Sequence, residues 1–82
     1  MLMVTLLKTN KMVIFITFGQ THTHSHNGFT LDKDCVGVIH CRDYDHGREL
    51  AFEWFGDKFA TTYAKINNEF MNFFPKGTYD LN

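Results

Sequence analysis

The sequence lacks a surplus of charge of either sign. Eight Lys and Arg stand against nine Asp and Glu, which gives a formal net charge of −1 over 82 residues. Proteins that bind phosphate backbones carry a basic patch or stripe, and none is visible here. The acidic residues are equally dispersed, which disfavours imitation of a nucleic-acid backbone. We therefore expect no direct binding of nucleic acid, and we expect any partner to be a protein.

Long hydrophobic runs are absent as well. The apolar run over residues 1–7 is far shorter than the roughly 20 residues of a membrane-spanning helix. Lys8 follows this run, whereas a secretory signal has its positive charge in front. We expect neither a signal nor a membrane anchor. A polar break then precedes Met12, which leaves open whether residues 1–11 are an N-terminal extension outside the core.

Cysteine is scarce, with two in the chain. Cys35 and Cys41 are six positions apart in what looks like one strand, so their Cα atoms should lie about 20 Å from each other. That distance excludes a disulfide. Reduced thiols, as in a cytosol, are the simpler interpretation.

Aromatic residues, by contrast, are abundant: nine Phe, three Tyr and one Trp. A chain of this length has room for one hydrophobic core, so we predict a single domain over residues 1–82. Large rings supply most of the surface that such a short chain can bury. Trp54 and Phe55 are accordingly expected in the core.

The pattern of apolar residues predicts the layout of the chain. Residues 12–18 are apolar on both faces, which is typical of a central strand, and residues 35–41 form a second strand antiparallel to it. Between them, residues 19–33 are polar and contain glycine, so we expect a long connecting loop. A helix capped by Asp43 or Asp45 should end at Gly56.

Apolar and polar residues alternate over residues 58–64, which predicts a third strand with no evident pairing partner. The expected fold is α+β: a small ββαβ domain with a three-stranded sheet and one main helix on one face. The other face then needs a cover. Residues 1–11, residues 66–74 or a second molecule in a homodimer could each supply it.

Three histidines alternate in the predicted loop. Alternate side chains of an extended segment project to the same side about 6.6 Å apart, close enough for two imidazoles to share an ion. The antiparallel hairpin should bring acidic residues and a thiolate near them, and imidazole with thiolate selects zinc. The predicted zinc ligands are His22, His24 and Cys35, with His26 or Asp34 as the fourth. The alternative is that these are solvated histidines hydrogen-bonded to loop backbone.

Two further clusters have simpler explanations. A second group of candidate ligands, at the far end of the second strand, fits a strand end followed by helix capping. Its members are His40, Cys41, Asp43, Asp45 and His46. The aromatic run over residues 70–75 suits a lid over the sheet or a binding face, and we favour the lid.

Enzyme families with similar motifs do not fit. The alternating histidines resemble the metal-binding turn of metallo-β-lactamase-like hydrolases, but Ser25 occupies the position of a required Asp and the chain is too short for that fold. A ββα-metal nuclease needs a helical His or Asn ligand and a basic surface, and both are missing. No phosphate-binding loop or nucleophile elbow is present. We expect that the protein is not an enzyme.

The stretch from Phe18 to Tyr63 contains a series of short motifs: Phe18-Gly19-Gln20, the His22 and His24 pair, Asn27-Gly28, Asp32-Lys33-Asp34, Arg48-Glu49-Leu50 and Phe55-Gly56-Asp57-Lys58-Phe59. In these motifs the chain resembles small proteins of phages and prophages, and among them a zinc-containing anti-CRISPR protein of the type II-A group. The resemblance implies a stoichiometric inhibitor that binds Cas9 in the host bacterial cytoplasm and whose fold is stabilised by a structural zinc site.

Contact with such a partner would rest on exposed aromatic and polar residues. The candidates are Phe29, Glu49, Glu53, Phe73 and Phe74. A rival function is the capture of a small signalling nucleotide. In that case the loop histidines and Arg48 would meet phosphate, and Trp54 or Tyr63 would stack on a base.

Overall fold

The computed structural model describes residues 12–82, which form two small sheets and two helices. The elements in chain order are β1 (Met12–Thr17), β2 (His24–His26), β3 (Phe29–Leu31), β4 (Cys35–Cys41), α1 (Tyr44–Phe55), β5 (Thr61–Tyr63), α2 (Asn68–Met71) and β6 (Gly77–Asp80). The prediction about residues 1–11 lies outside the described residues. Among residues 12–82, no helix is long and apolar enough to cross a membrane.

The main sheet has four strands in the order β5-β1-β4-β6. Strand β1 is antiparallel to both β4 and β5, and β6 lies parallel to β4. The predicted α+β class is confirmed, but the three-stranded ββαβ arrangement is wrong. Strand β6 was missed because a segment of four half-buried and exposed residues has too little apolar alternation to mark a strand.

The two interior strands are the ones that the sequence predicted, and they form the expected antiparallel pair. Ile14 lies opposite Ile39, and Ile16 lies opposite Gly37. The three isoleucine side chains are fully buried and belong to the main hydrophobic cluster. Because directly opposite residues share a face, these pairs define the face of the sheet that α1 covers.

Helix α1 begins and ends where capping rules place it. The carboxylate of Asp43 accepts a hydrogen bond from the backbone N–H of His46 at 2.8 Å, and Gly56 follows the last turn with φ 64°. Within the helix, a Cβ atom on Gly47 would lie 2.6 Å from the Cδ1 atom of Ile14. Glycine at this position therefore lets the helix backbone approach the sheet.

The predicted loop over residues 19–33 is not structureless, because it contains the two-stranded hairpin of β2 and β3. Asn27 and Gly28 form the two-residue turn, with φ of 50° and 84°. Positive φ at both central residues is what a type I′ turn demands, and Asn-Gly is the pair that tolerates it best. The Asn-Gly signal was in the sequence, but the polar strands around it concealed the hairpin.

The second face of the main sheet is covered in part by the segment that contains α2. The ring of Tyr63, which faces away from α1, lies 4.9 Å from the ring of Phe70, and Phe70 lies 4.9 Å from Phe74. Tyr63 is on that face because its neighbour Thr62 contacts α1 through Tyr44. Of the three covers that the sequence left open, residues 66–74 therefore form at least a part.

Candidate functional site

We call the three alternating histidines the histidine row (His22, His24 and His26), and the rings of His24 and His26 lie against the last turn of α1. The ring centroids of His24 and Phe55 are 4.8 Å apart, as are those of His26 and Trp54. His22 extends the row, with its centroid 6.3 Å from that of His24. Alternation along the extended segment thus brings the three rings to one side, as the sequence predicted.

Two of these imidazoles donate hydrogen bonds to distant backbone carbonyls. His24 Nε2 lies 2.6 Å from the oxygen of Lys58, and His26 Nε2 lies 2.9 Å from the oxygen of Leu81. A carbonyl oxygen can only accept, so both Nε2 atoms carry a proton. The Nδ amide of Asn27 donates to the same Leu81 oxygen at 2.5 Å.

The histidine row therefore joins three separate parts of the chain. The hairpin is held to the loop after α1 by His24 and to the end of the main sheet by His26. Leu81 itself is fully buried, and its backbone N–H donates to Val38 at 2.9 Å. Both side chain and backbone of Leu81 thus help to complete the core at the point where the hairpin is attached.

Cys35, the predicted thiolate ligand, is fully buried at the start of β4. Its Sγ atom lies 3.5 Å from Asp32 Oδ1 and 3.8 Å from the oxygen of Thr30, so its single S–H has two acceptors within hydrogen-bonding distance. Burial raises the pKa of the Cys35 thiol above its usual value. In this environment the sulfur is a protonated donor rather than a thiolate.

The structure brings His22, His24 and His26 side by side, but it does not assemble the predicted zinc ligands as a set. Within residues 12–82, no three His, Cys, Asp or Glu side chains form a group that could hold a metal ion. The Nε2 atoms of two of the histidines are engaged by carbonyls, which leaves Nδ1 as the nitrogen of each ring that could bind a metal. Zinc binding stays a prediction.

The acidic residues near Cys35 hold the loop between β3 and β4. Asp34 makes an ion pair with Lys33 at 3.2 Å, and Asp32 makes one with Lys76 at 2.7 Å. The hydrogen bond from Lys76 is the main reason why the pKa of Asp32 falls from 3.8 to about 2. The ion pair between Asp32 and Lys76 attaches the loop to Lys76, the residue before β6.

The second cluster of candidate ligands serves the ends of secondary-structure elements. Asp43 caps α1, as predicted, and His46 Nδ1 accepts a hydrogen bond from the backbone N–H of Arg42 at 3.0 Å. His40 Nε2 lies 3.3 Å from Asp80 Oδ1 on the neighbouring strand, and Cys41 is fully buried in the core. Asp45 is exposed in the first turn of α1.

Of the predicted partner-binding residues, three are exposed and two are half-buried. Glu49 and Glu53 are exposed on α1, and the side chain of Phe73 is 74% exposed. The ring of Phe29 packs on Tyr79 at 5.1 Å, while Phe74 packs on Phe70 as described above. The latter two are better suited to packing than to docking.

Phe52 is an exposed aromatic residue that the sequence reasoning missed. It is 47% exposed on α1. The signal was available, because Leu50, Ala51, Trp54 and Phe55 define the buried face and Phe52 lies outside that set. An apolar residue off the buried stripe of an amphipathic helix is a candidate for a surface contact.

The residues proposed for nucleotide capture are brought together only in part, because His26 and Trp54 are neighbours while Arg48 and Tyr63 are not. The guanidinium of Arg48 donates to Thr62 Oγ1 at 2.7 Å on the side of the sheet that faces α1. Tyr63 faces the opposite side, and Trp54 stacks on His26. A base on Tyr63 could not belong to a ligand whose phosphate meets Arg48.

Comparison with known proteins gives no relative. No family model matches the chain, no curated protein is detectably similar to it in sequence, and no solved structure gives a significant match to its fold. Function is therefore inferred from the side chains and their geometry, with the motif resemblance described above as context.

Proposed function

We propose that the protein is a non-catalytic inhibitor that acts by binding another protein, and that this protein is a Cas9 effector of the host bacterium. The chain would then be a phage-encoded anti-CRISPR protein acting in the bacterial cytoplasm. The identity of the partner comes from the resemblance of residues 18–63. The geometry supports the more general part of the proposal, binding through a surface rather than chemistry.

The observation that carries this proposal is the way in which the reactive side chains are used. His24 and His26 donate to backbone carbonyls of distant segments, and the Cys35 thiol lies within hydrogen-bonding distance of a carboxylate and a carbonyl in the adjacent loop. Within residues 12–82, no nucleophilic side chain is hydrogen-bonded to the remaining Nδ1 atom of either imidazole. A catalytic nucleophile and its base need such a contact.

The surface supplies the groups that a binding function needs. Phe52 and Phe73 are large apolar side chains that remain exposed on the folded chain. Their rings offer sizeable apolar area at a low cost in conformational entropy, which is why aromatic residues are common at the centres of interfaces. Inhibition would follow from occupying the surface on Cas9 that guide-directed DNA capture or cutting requires.

A titration of Cas9 activity tests this function. Purified chain is added to a Cas9–guide complex, and cleavage of a matched DNA target is measured. We expect cleavage to fall linearly and to stop near one chain per Cas9, with both proteins in one peak on gel filtration. Full cleavage at a large excess of the chain, with separate elution, would exclude the proposal.

The same preparation addresses the two other candidate functions. Incubation of the chain alone with plasmid DNA and divalent metal tests nuclease activity, for which we expect no loss of plasmid. A thermal-unfolding screen with nucleotides tests capture, because a ligand that binds the native state raises Tm. We expect no nucleotide to raise it.

A further inference from the structure

The outer surface of α1 carries a row of acidic residues that no described residue neutralises. Asp45, Glu49 and Glu53 are spaced four apart, so their side chains lie one above another on the helix. All three are exposed. The close contacts between basic and acidic side chains within residues 12–82 are Lys33–Asp34, His40–Asp80 and Lys76–Asp32, none of which involves this row.

This row does not help the helix to form. Like charges four residues apart repel each other, and the row contains two such pairs. Glu53 is also in the last turn, where the helix dipole disfavours a negative charge and where no basic residue compensates. Only Asp45, in the first turn, is placed favourably for the dipole.

An ordered aromatic ring lies beside the acidic row. Phe52 is 47% exposed, yet its ring is held on two sides. The ring of Phe59 meets it edge to face at a centroid distance of 5.1 Å, and the guanidinium carbon of Arg48 lies 5.5 Å from its centroid. Arg48 is fixed in turn by Thr62. A ring held in this way loses little freedom when a partner covers it.

We infer that this surface, the α1 outer face (Asp45, Glu49, Phe52 and Glu53), docks a protein surface that presents an apolar side chain flanked by lysines or arginines. The inference rests on the proposed function and deepens it by naming the surface and the chemistry of its partner. Phe52 anchors the apolar side chain, and the carboxylates attract the basic residues around it. The same carboxylates repel phosphate, so the occupant is a protein and not a nucleic acid.

A defined peptide tests the α1 outer face without reference to any natural partner. The ¹⁵N-labelled full chain is titrated with a short synthetic peptide of lysines interrupted by phenylalanines, and backbone chemical shifts are followed by NMR. We expect changes confined to α1 and the loop around Phe59, and weaker binding at higher salt. A peptide with glutamate in place of each lysine should cause none. Changes centred elsewhere, or equal binding of both peptides, would overturn the inference.

Variants make the test quantitative. In the double variant Glu49→Gln with Glu53→Gln, peptide affinity should fall about fivefold while Tm stays equal or rises, because repulsion within the helix is relieved. Phe52→Ala should weaken binding about tenfold. Glu69→Gln is the matched control, since it removes one exposed carboxylate from α2 rather than from α1, and it should bind like the unchanged chain. An unaltered affinity in the double variant contradicts the inference.

The same variants and Phe73→Ala, assayed with Cas9, separate this inference from the proposed function. If the peptide maps to the α1 outer face but Cas9 is neither bound nor inhibited, the proposed function fails and the docking surface stands. If Cas9 is inhibited equally by the unchanged chain and by Phe52→Ala, while Phe73→Ala is impaired, the function stands and the docking surface is overturned.

Discussion

The Nε2 atom of His26 lies 2.9 Å from the carbonyl oxygen of Leu81, a residue 55 positions further along the chain. This contact uses a candidate metal ligand as a structural hydrogen-bond donor. It also couples the small hairpin to the main sheet, because Leu81 is buried in the core. The stability of the two sheets should therefore be linked through one imidazole.

Replacing this imidazole tests the link. We expect His26→Ala to lower the free energy of unfolding by about 1–2 kcal/mol, from the lost hydrogen bond and the lost packing on Trp54. Urea denaturation measures the change. His22→Ala is the control, since His22 makes no side-chain hydrogen bond within residues 12–82, and it should cost less than about 0.5 kcal/mol. Equal effects of the two substitutions would argue against the structural role of His26.

The zinc prediction can be checked independently of function. The resemblance predicts about one zinc per chain, lost together with stability in His24→Ala, because structural zinc binding is coupled to folding. Elemental analysis of protein purified without chelator gives the answer. Metal-free protein that unfolds at the same temperature with and without added zinc would overturn the zinc prediction and leave His24 as a donor to Lys58.

Acid unfolding should report the ion pair between Asp32 and Lys76. The pKa of Asp32 is lowered from 3.8 to about 2 in the folded chain, so the ionised form is the one that folding favours. Its contribution is complete above pH 4 and is lost as the pH falls from about 4 to about 2. In Asp32→Asn the stability should change less over that interval. Urea midpoints measured between pH 2 and 6 supply the comparison, and parallel curves for the two proteins would contradict it.

Both thiols should be unreactive in the folded chain. Cys35 and Cys41 are free and fully buried, and burial raises the pKa of each thiol. Since the thiolate is the reactive form, a chromogenic disulfide reagent at pH 8 should react slowly with native protein and rapidly in denaturant. The slow rate should increase with variants that destabilise the fold. Immediate reaction of either cysteine under native conditions would show that its sulfur is accessible.

The close approach of α1 to the sheet depends on Gly47. A Cβ atom there would lie 2.6 Å from Ile14 Cδ1, so Gly47→Ala should cost about 1–3 kcal/mol despite the better helix propensity of alanine. Thermal unfolding followed by circular dichroism measures the loss. Glu49 in the same helix is exposed, so the control variant Glu49→Ala should be neutral or slightly stabilising. An increase in Tm for Gly47→Ala would mean that the helix can move away from β1 at little cost.

The parts of the fold that the sequence predicted are those with strong local signals. Strands β1 and β4 are dense in β-branched residues, and α1 has a carboxylate cap and a glycine stop. Strand β6 could not be predicted in this way, because it is short and polar and is specified by pairing with β4. The hairpin β2–β3 had one local signal, Asn27-Gly28, but its strands are too short and polar for that signal to predict it alone.

For the candidate site, the sequence predicted that the histidines share one side, but it did not predict the hydrogen bonds that they make. Alternation did place the histidine row on one side, yet the sequence could not show that carbonyls of Lys58 and Leu81 would meet two of the rings. Those carbonyls are 34 and 55 positions away from their imidazole donors. Such pairings depend on the packing of distant segments, for which a single sequence holds no local signal.

The position of Leu81 also bears on how the chain folds during synthesis. Its side chain fills the space above Gly37, where a Cβ atom would lie 2.6 Å from the Cδ1 atom of Leu81. Strands β1 and β4 leave the ribosome about forty residues before Leu81, so the space above Gly37 stays unfilled until Leu81 is made. Until then the nascent chain exposes apolar surface, and it is at this stage that aggregation or capture by a chaperone should compete with folding.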